Sequence, residues 1–372
     1  MKIAIFHPQI NNYGGGETVT LTIAFALAKD HNVTILSSDK VDKKKISRFY
    51  GLDLQKVEFR VRKVASIIKK LPFLNSYKTS LQVKLINDLN RYDLVIDTGT
   101  NGWFTKKLKP KTICYIHYPY FQSKKKGWKK ITNNLLVDPK KAFQYDTLIC
   151  NSRFTKKCLR KLTNKKIEVI YPPVEVSKIK PRKKQNKIVT IGRFTYEKKH
   201  EVLIDAFKEL YKKNKDYSFH LIGSFQNNMP LYKKEYLDML KERAKGFPIK
   251  FHMNMPHDKV LKFLEDCKIY WHSRGYGETD LNEYENFGIT TVEAMAAGCV
   301  PIVINLGAQP EIVEHGKNGY CWNEPKELLD YTKNLIENIN LYTSLKIEAI
   351  KKSKKYDTQL FINRIRNIVQ AI

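Results

Sequence analysis

Twice along this chain, short apolar runs alternate with longer stretches whose apolar residues recur at helical spacing, and a proline pair separates the two series. In the first series, 2–6, 33–36, 94–97, 112–116, 147–150 and 167–170 read as strands, while Val19, Ile23 and Leu27 form a helical stripe between the first two. Strand, helix, strand in that order implies parallel neighbours and a doubly wound sheet. Pro172-Pro173 closes the last strand, and the polar, basic stretch 177–186, with Pro181 inside it, has linker composition. The second series places strands at 187–191, 218–222, 249–252, 269–272 and 300–304. Helical patterns intervene at 202–211, 231–243, 259–266 and 290–297, and 326–372 reads as helices. The expectation is an α/β chain of two such domains, since 372 residues exceed what one core usually organises. Ligands of open α/β sheets bind at the carboxyl ends of the strands, so two domains facing each other would form a cleft.

Composition narrows the class further. An apolar fraction of 42%, with 21 Tyr and 18 Phe, is ample for packed cores and argues against disorder. No run approaches the roughly 18–20 apolar residues that span a bilayer. The apolar start at 2–6 is short for a signal peptide and reads as a first strand, which predicts a cytoplasmic protein. Six cysteines, none in a C-x-x-C pair and several within apolar runs, read as buried free thiols rather than a disulfide framework or zinc site. The 67 Lys and Arg against 37 Asp and Glu give a formal charge of +30, a field that attracts polyanions, whether nucleic acid, anionic lipid or phosphorylated substrates. Equally, lysine clusters such as 124–126, 129–130 and 183–184 read as solvated faces of a generally basic surface.

Three motifs carry chemistry. Gly14-Gly15-Gly16-Glu17 follows the first strand and opens a helix, where glycines admit close approach and helix amides face an anion; a plain strand-to-helix turn is the other reading. Arg193 and Lys198, five apart at a second strand-to-helix transition, can converge on one polyanion, the Arg as a fork and the Lys as a point charge. In the third, Glu285 and Glu293 stand eight positions apart around Phe287-Gly288-Ile289, with a small-residue helix behind. A helix beginning near Gly288 would offer amides to phosphate, and each carboxylate can accept two hydrogen bonds from a vicinal diol.

In order and type, these elements resemble glycosyltransferase family 4 over nearly the whole chain. Within it, Tyr115-Ile116-His117-Tyr118-Pro119, Asn151-Ser152-Arg153-Phe154-Thr155 and Ile170-Tyr171-Pro172-Pro173 are similar to the α-1,2-mannosyltransferase group that extends a lipid-linked oligosaccharide. The resemblance implies a GT-B fold: two doubly wound, Rossmann-like domains facing a central cleft. It divides into an acceptor-side domain at 1–176, a linker at 177–186, a nucleotide-sugar domain at 187–356, and a last helix at 357–372 packing back on the first domain. By position it also implies roles. Gly15, Gly16, Arg193, Lys198, Glu285, Phe287, Gly288, Ile289 and Glu293 would bind the donor, with Arg193 and Lys198 on the diphosphate, Glu293 on the ribose and Glu285 on the transferred sugar. His117, Arg193, Lys198 and Glu285 would form the catalytic set, although His117 on its sequence alone is equally a packed strand-end histidine. No cofactor is implied beyond a nucleotide-sugar donor, GDP-mannose, and no metal, since no D-x-D element stands at a strand end.

Retention in this family is read as front-side displacement, with positioning and charge stabilisation as the protein's task. One departure is the stretch 273–284, longer than the family pattern, whose Glu278, Asp280 and Glu283 form an acidic patch; it reads either as an acceptor-contacting loop or as a solvated insertion. Ile67, Ile68 and Phe73 beside Lys69 and Lys70 suit an anionic membrane surface, as does the stripe Leu81, Leu85, Ile86 and Leu89, which also fits a core-facing helix. The expected partners are therefore a nucleotide-sugar, a lipid-linked or other glycan acceptor and the cytosolic face of a membrane. Three rivals remain: a soluble UDP-sugar transferase, a nucleotide-sugar epimerase of the same fold, and a nucleic-acid binder. The last lacks a recognition motif, and its lysines are spread over both halves.

Overall fold

A computed structural model describes residues 1–11, 14–38, 40–61, 89–99, 108–119, 143–224 and 231–372. The chain forms two compact units, residues 1–173 with 359–372, and 174–358. In the first unit, β1 (Lys2–Phe6), β2 (Asn32–Ser37), β3 (Val57–Val61), β4 (Leu94–Asp97), β5 (Lys111–Ile116), β6 (Thr147–Cys150) and β7 (Ile167–Val169) make one sheet in the order 3-2-1-4-5-6-7. Every pairing is parallel, with Ile3 opposite Val33 on one side and Leu94 on the other. Strands covered on both faces must be apolar nearly throughout, and β4 is buried at all its positions. The helix Gly15–Leu27 presents Val19, Ile23 and Leu27 to this core. Phe361, Ile365 and Val369, at a four-residue period on the helix Thr358–Gln370, enter the same core, and Phe361 meets Tyr115 edge-on. Leu89 is also a core residue, beside Val95 and Leu148, so the interfacial reading does not hold for it.

In the second unit, β8 (Gln185–Ile191), β9 (Ser218–Gly223), β10 (Ile249–Met253), β11 (Cys267–His272), β12 (Val300–Ile304) and β13 (Tyr320–Trp322) run parallel in the order 10-9-8-11-12-13. Phe194, Phe207, Phe219, Trp271 and Trp322 are fully buried in its core. Both indoles find acceptors, Trp271 on Thr332 Oγ1 at 3.1 Å and Trp322 on the His272 carbonyl at 3.2 Å, as buried N–H groups must.

Several features escaped the pattern. The strands β3 and β13 and the helices Lys43–Tyr50 and Arg153–Leu159 lie outside the predicted elements; β13 has only three residues, whereas Val57-Glu58-Phe59-Arg60-Val61 of β3 does alternate apolar and charged positions. The stretch of linker composition falls inside the second unit, whose first strand already starts at Gln185. Lys184 is no solvated lysine: its Nζ donates to the carbonyls of Ala297, Glu265 and Leu264, closing the carboxyl ends of two helices. All six cysteines are free and buried. Among the described residues no helix is long and apolar enough to cross a membrane. The stretch 64–74, Leu81, Leu85 and Ile86, and the lysines of 124–126 and 129–130 lie outside the described residues.

Candidate active site

In each sheet the strand order reverses direction at the centre, between β1 and β4 in the first unit and between β8 and β11 in the second. Crossovers leave on opposite faces there, opening a crevice at the carboxyl ends of those strands. In the second unit, Gly192 and Arg193 follow β8, while His272 ends β11 and Ser273 and Arg274 follow it. Buried Phe194 packs against the rings of His200 and Phe251 and anchors the β8 turn from below. The turn Tyr196–Lys198 then carries Lys198 back over Gly192, where an added Cβ would lie 3.2 Å from the lysine stem. Ser273 Oγ donates to the carbonyls of Lys198 and Lys199, so the two strand ends are joined.

Lys198 Nζ lies 2.7 Å from Glu285 Oε2, with the two side chains 15% and 17% exposed. The same oxygen is 3.4 Å from His272 Nε2, and Arg274 Nη1 is 3.4 Å from Glu285 Oε1. Burial alone would raise the Glu285 pKa, but Lys198, Arg274 and His272 outweigh it and hold the carboxyl well below the usual carboxylate range. For Lys198, burial comes first and lowers the pKa against the pull of Glu285, aided by the fields of Arg274 and Arg193. Arg193 is 60% exposed, with its Nη2 3.7 Å from Glu197. Lys198 and Arg274 thus flank the two oxygens of Glu285, and Arg193 stands beside them against Glu197.

Glu285 is held by its backbone as well. Its carbonyl accepts from Ala308 N at 2.9 Å, across a turn in which Gly307 has φ 64 and a Cβ would come within 2.4 Å of that carbonyl. Phe287 is buried against Tyr356. Gly288 caps the helix Ile289–Ala296 at φ 115, with the buried Gln309 amide so close that a Cβ would stand 2.3 Å from its Nε2. By helix geometry, the first amides, Ile289 and Thr290, have no carbonyl four residues earlier to bond. Glu293, a turn further on, points to His257, whose Nε2 donates to its Oε1 at 2.8 Å.

The stretch 273–284 is not a solvated insertion. Arg274 donates to the carbonyls of Glu283 and Asn282, Glu278 pairs with Lys199 at 2.5 Å, and Asp280 accepts from the amide of Asn282.

At the switch point of the first unit, His7 follows β1 and Thr98 follows β4. Thr20 Oγ1 donates to Thr98 Oγ1 at 2.8 Å, and both hydroxyls lie 3.0 Å from His7 Nδ1. Glu17 stands 3.5 Å from His7 Nε2 and accepts from the Gly14 amide at 2.9 Å, which caps the helix opened by Gly15 and Gly16. A Cβ on Gly16 would lie 3.5 Å from Nε2 of the half-buried His117. Burial, then the charge of His7, pushes the His117 pKa down to about 4, so its imidazole is neutral at pH 7.

Gly15, Gly16 and His117 thus stand in the first unit, while the second unit brings Lys198 together with Glu285 and seats Phe287, Gly288 and Ile289 behind them. Arg193 pairs with Glu197 and Glu293 with His257. Sequence reasoning missed Arg274, His272, His257 and Gln309, and in the first unit His7, Thr20 and Thr98. The available signal was position: each of His7, Thr98, His272 and Arg274 stands within two residues of the end of a central strand.

Residues 13–178 match the family described as Glycosyltransferase Family 4, and residues 174–352 the family described as Glycosyl transferases group 1. A Dictyostelium discoideum GDP-Man:Man(3)GlcNAc(2)-PP-Dol alpha-1,2-mannosyltransferase is 22% identical over 307 residues, or 70% of this chain and 59% of that protein. With 46% of the Xenopus tropicalis protein of the same name covered, the chain spans about half the length of these curated relatives. A Haemophilus influenzae protein described as an uncharacterized glycosyltransferase is 24% identical over 99% of both chains. Among solved structures, Anabaena HepE in complex with UDP and glucose superposes with a TM-score of 0.77 at 17% identity, over 100% of both chains, which establishes a shared fold.

Proposed function

Because this chain belongs to glycosyltransferase family 4 and is a glycosyltransferase, we propose that it is a retaining, metal-independent hexosyltransferase, moving mannose from GDP-mannose to a lipid-linked glycan at the cytosolic face of a membrane. The observation that carries the donor half of this reading is the Lys198–Glu285–Arg274 cluster at the ends of β8 and β11. A nucleoside diphosphate brings negative charge, and Lys198 and Arg274, with helix amides beside them, hold positive charge close to where it would sit. On this reading, Lys198, Arg193 and the amides of Gly288 and Ile289 bind the diphosphate, Glu285 the transferred sugar and Glu293 the ribose. Gly15, Gly16 and His117, at the switch point of the first unit, meet substrate there.

The chemistry proposed is front-side displacement. The acceptor hydroxyl oxygen bonds to the anomeric carbon on the face the diphosphate leaves, the bond from that carbon to the phosphate oxygen breaks, and the departing oxygen takes the hydroxyl proton. Arg193 and Lys198 stabilise the charge growing on that oxygen, the task a metal performs elsewhere. The acceptor half rests on the names of the Dictyostelium and Xenopus relatives alone. UDP-glucose on a soluble acceptor is the alternative, and UDP and glucose are the ligands of HepE.

A thermal-shift panel of GDP-, UDP- and ADP-sugars decides the donor, since a ligand of the folded state alone raises its stability with concentration. The expected result is stabilisation by GDP-mannose, with turnover unchanged in chelator. Stabilisation by UDP-glucose alone, or strict dependence on manganese or magnesium, would overturn the corresponding part of the proposal.

A further inference from the structure

Glu293 lies one turn into the helix Ile289–Ala296 with its side chain only 6% exposed, and a carboxylate that dry requires donors. The donor it has is His257, from a different element. The chain leaves β10, turns through Asn254 at φ 55, and passes Pro256 before His257 opens the helix His257–Leu264. The imidazole is 43% exposed, so it is the more accessible member of the pair. Its pKa is raised by the hydrogen bond to Glu293, against the opposing effect of burial, and the charges of Glu293, Glu175 and Asp258 add to the rise. Nothing in the chemistry outlined above uses this ring.

We propose that His257 is a positioning residue for nucleotide recognition: by engaging Oε1 it fixes the Glu293 carboxylate so that Oε2 and the remaining lone pairs meet the ribose 2′- and 3′-hydroxyls. This rests on the reading of Glu293 as the ribose ligand. A carboxylate has room for about four hydrogen bonds, so one taken by His257 leaves enough for a diol. A glutamate released from its donor must be ordered again each time a ribose binds, and that ordering subtracts from affinity. The effect belongs to the diol alone; the diphosphate is held by other residues.

The test is calorimetric titration of the full chain with GDP and with UDP, each against its 2′-deoxy counterpart, and with inorganic pyrophosphate. For the nucleotide that binds, His257→Leu is expected to weaken the ribonucleotide about tenfold, the weight of one charge-assisted hydrogen bond. The ribo-to-deoxy ratio should fall towards one while pyrophosphate affinity stays as in the wild type. His257→Gln, which keeps an N–H donor, should recover most of the ratio. An unchanged ratio in His257→Leu, or equal weakening of all ligands, overturns the proposal. Should Glu293→Gln also leave the ratio unchanged, the assignment of the ribose to Glu293 fails, whereas a ratio lost in Glu293→Gln but kept in His257→Leu sinks only the role of His257. Binding by neither nucleotide overturns both.

Discussion

At the scale of single residues, Lys198 and Glu285 show how two ordinary side chains acquire a function from their surroundings. On a solvated surface such a pair contributes at most about 1 kcal/mol, because water screens it. Here both are mostly buried, and Glu285 has Arg274 on its other oxygen. Removing Lys198 therefore leaves a carboxylate that keeps one close cation, so a stability loss of about 1–3 kcal/mol is expected, below that of a fully orphaned buried charge. The loss in turnover should be larger. Lys198→Ala is expected to lower kcat by about 10²- to 10³-fold, the range seen when one group facing developing charge is deleted. Steady-state kinetics beside a urea titration separates the two effects. A kcat within a few-fold of wild type would show that Lys198 does not face the leaving group.

At the scale of the element, the helix Ile289–Ala296 depends on how its first turn is built. Gly288 sits at φ 115, where an L side chain is strained, and the Gln309 amide fills the space a Cβ would take. That amide cannot move freely, since it donates to the Phe287 carbonyl and accepts from Thr291. Gly288→Ala is thus expected to destabilise the protein by about 2–4 kcal/mol and to weaken nucleotide binding. Gly316 gives the internal control: its φ is 75 with open space around it, so Gly316→Ala should cost only the backbone term of about 1 kcal/mol and leave binding intact. Equal urea midpoints for the two variants would refute the packing argument.

At the scale of the whole molecule, the dominant quantity is the charge of +30. A field of that size draws the protein to any anionic surface and weakens as salt screens it. The proposed membrane acceptor predicts flotation with vesicles containing anionic lipid, reduced by salt and by replacing Ile67, Ile68 and Phe73 together with Ser. Flotation indifferent to all three changes would leave the basic surface without a membrane role. The two domains are Rossmann-like and of the GT-B class, and each carries its polar cluster at the one place where its strand order reverses.

Much of this was open to view in the amino-acid order alone. Parallel, doubly covered strands need short, nearly continuous apolar runs separated by longer amphipathic helices, and that alternation survives in any chain that folds this way. Arg193, Lys198, Glu285 and Gly288 announced themselves because a basic pair, an acidic pair and a glycine at a helix start are local patterns. Partnership is a different matter. Nothing in the spacing says that Glu285 would be gripped by Arg274 as well as Lys198, that Glu293 would turn to His257, or that Lys184 would leave its basic run to close two helices. Those pairings join residues that are 11, 36 and 81 positions apart. They follow from which strands lie side by side, so only the folded sheet could decide them.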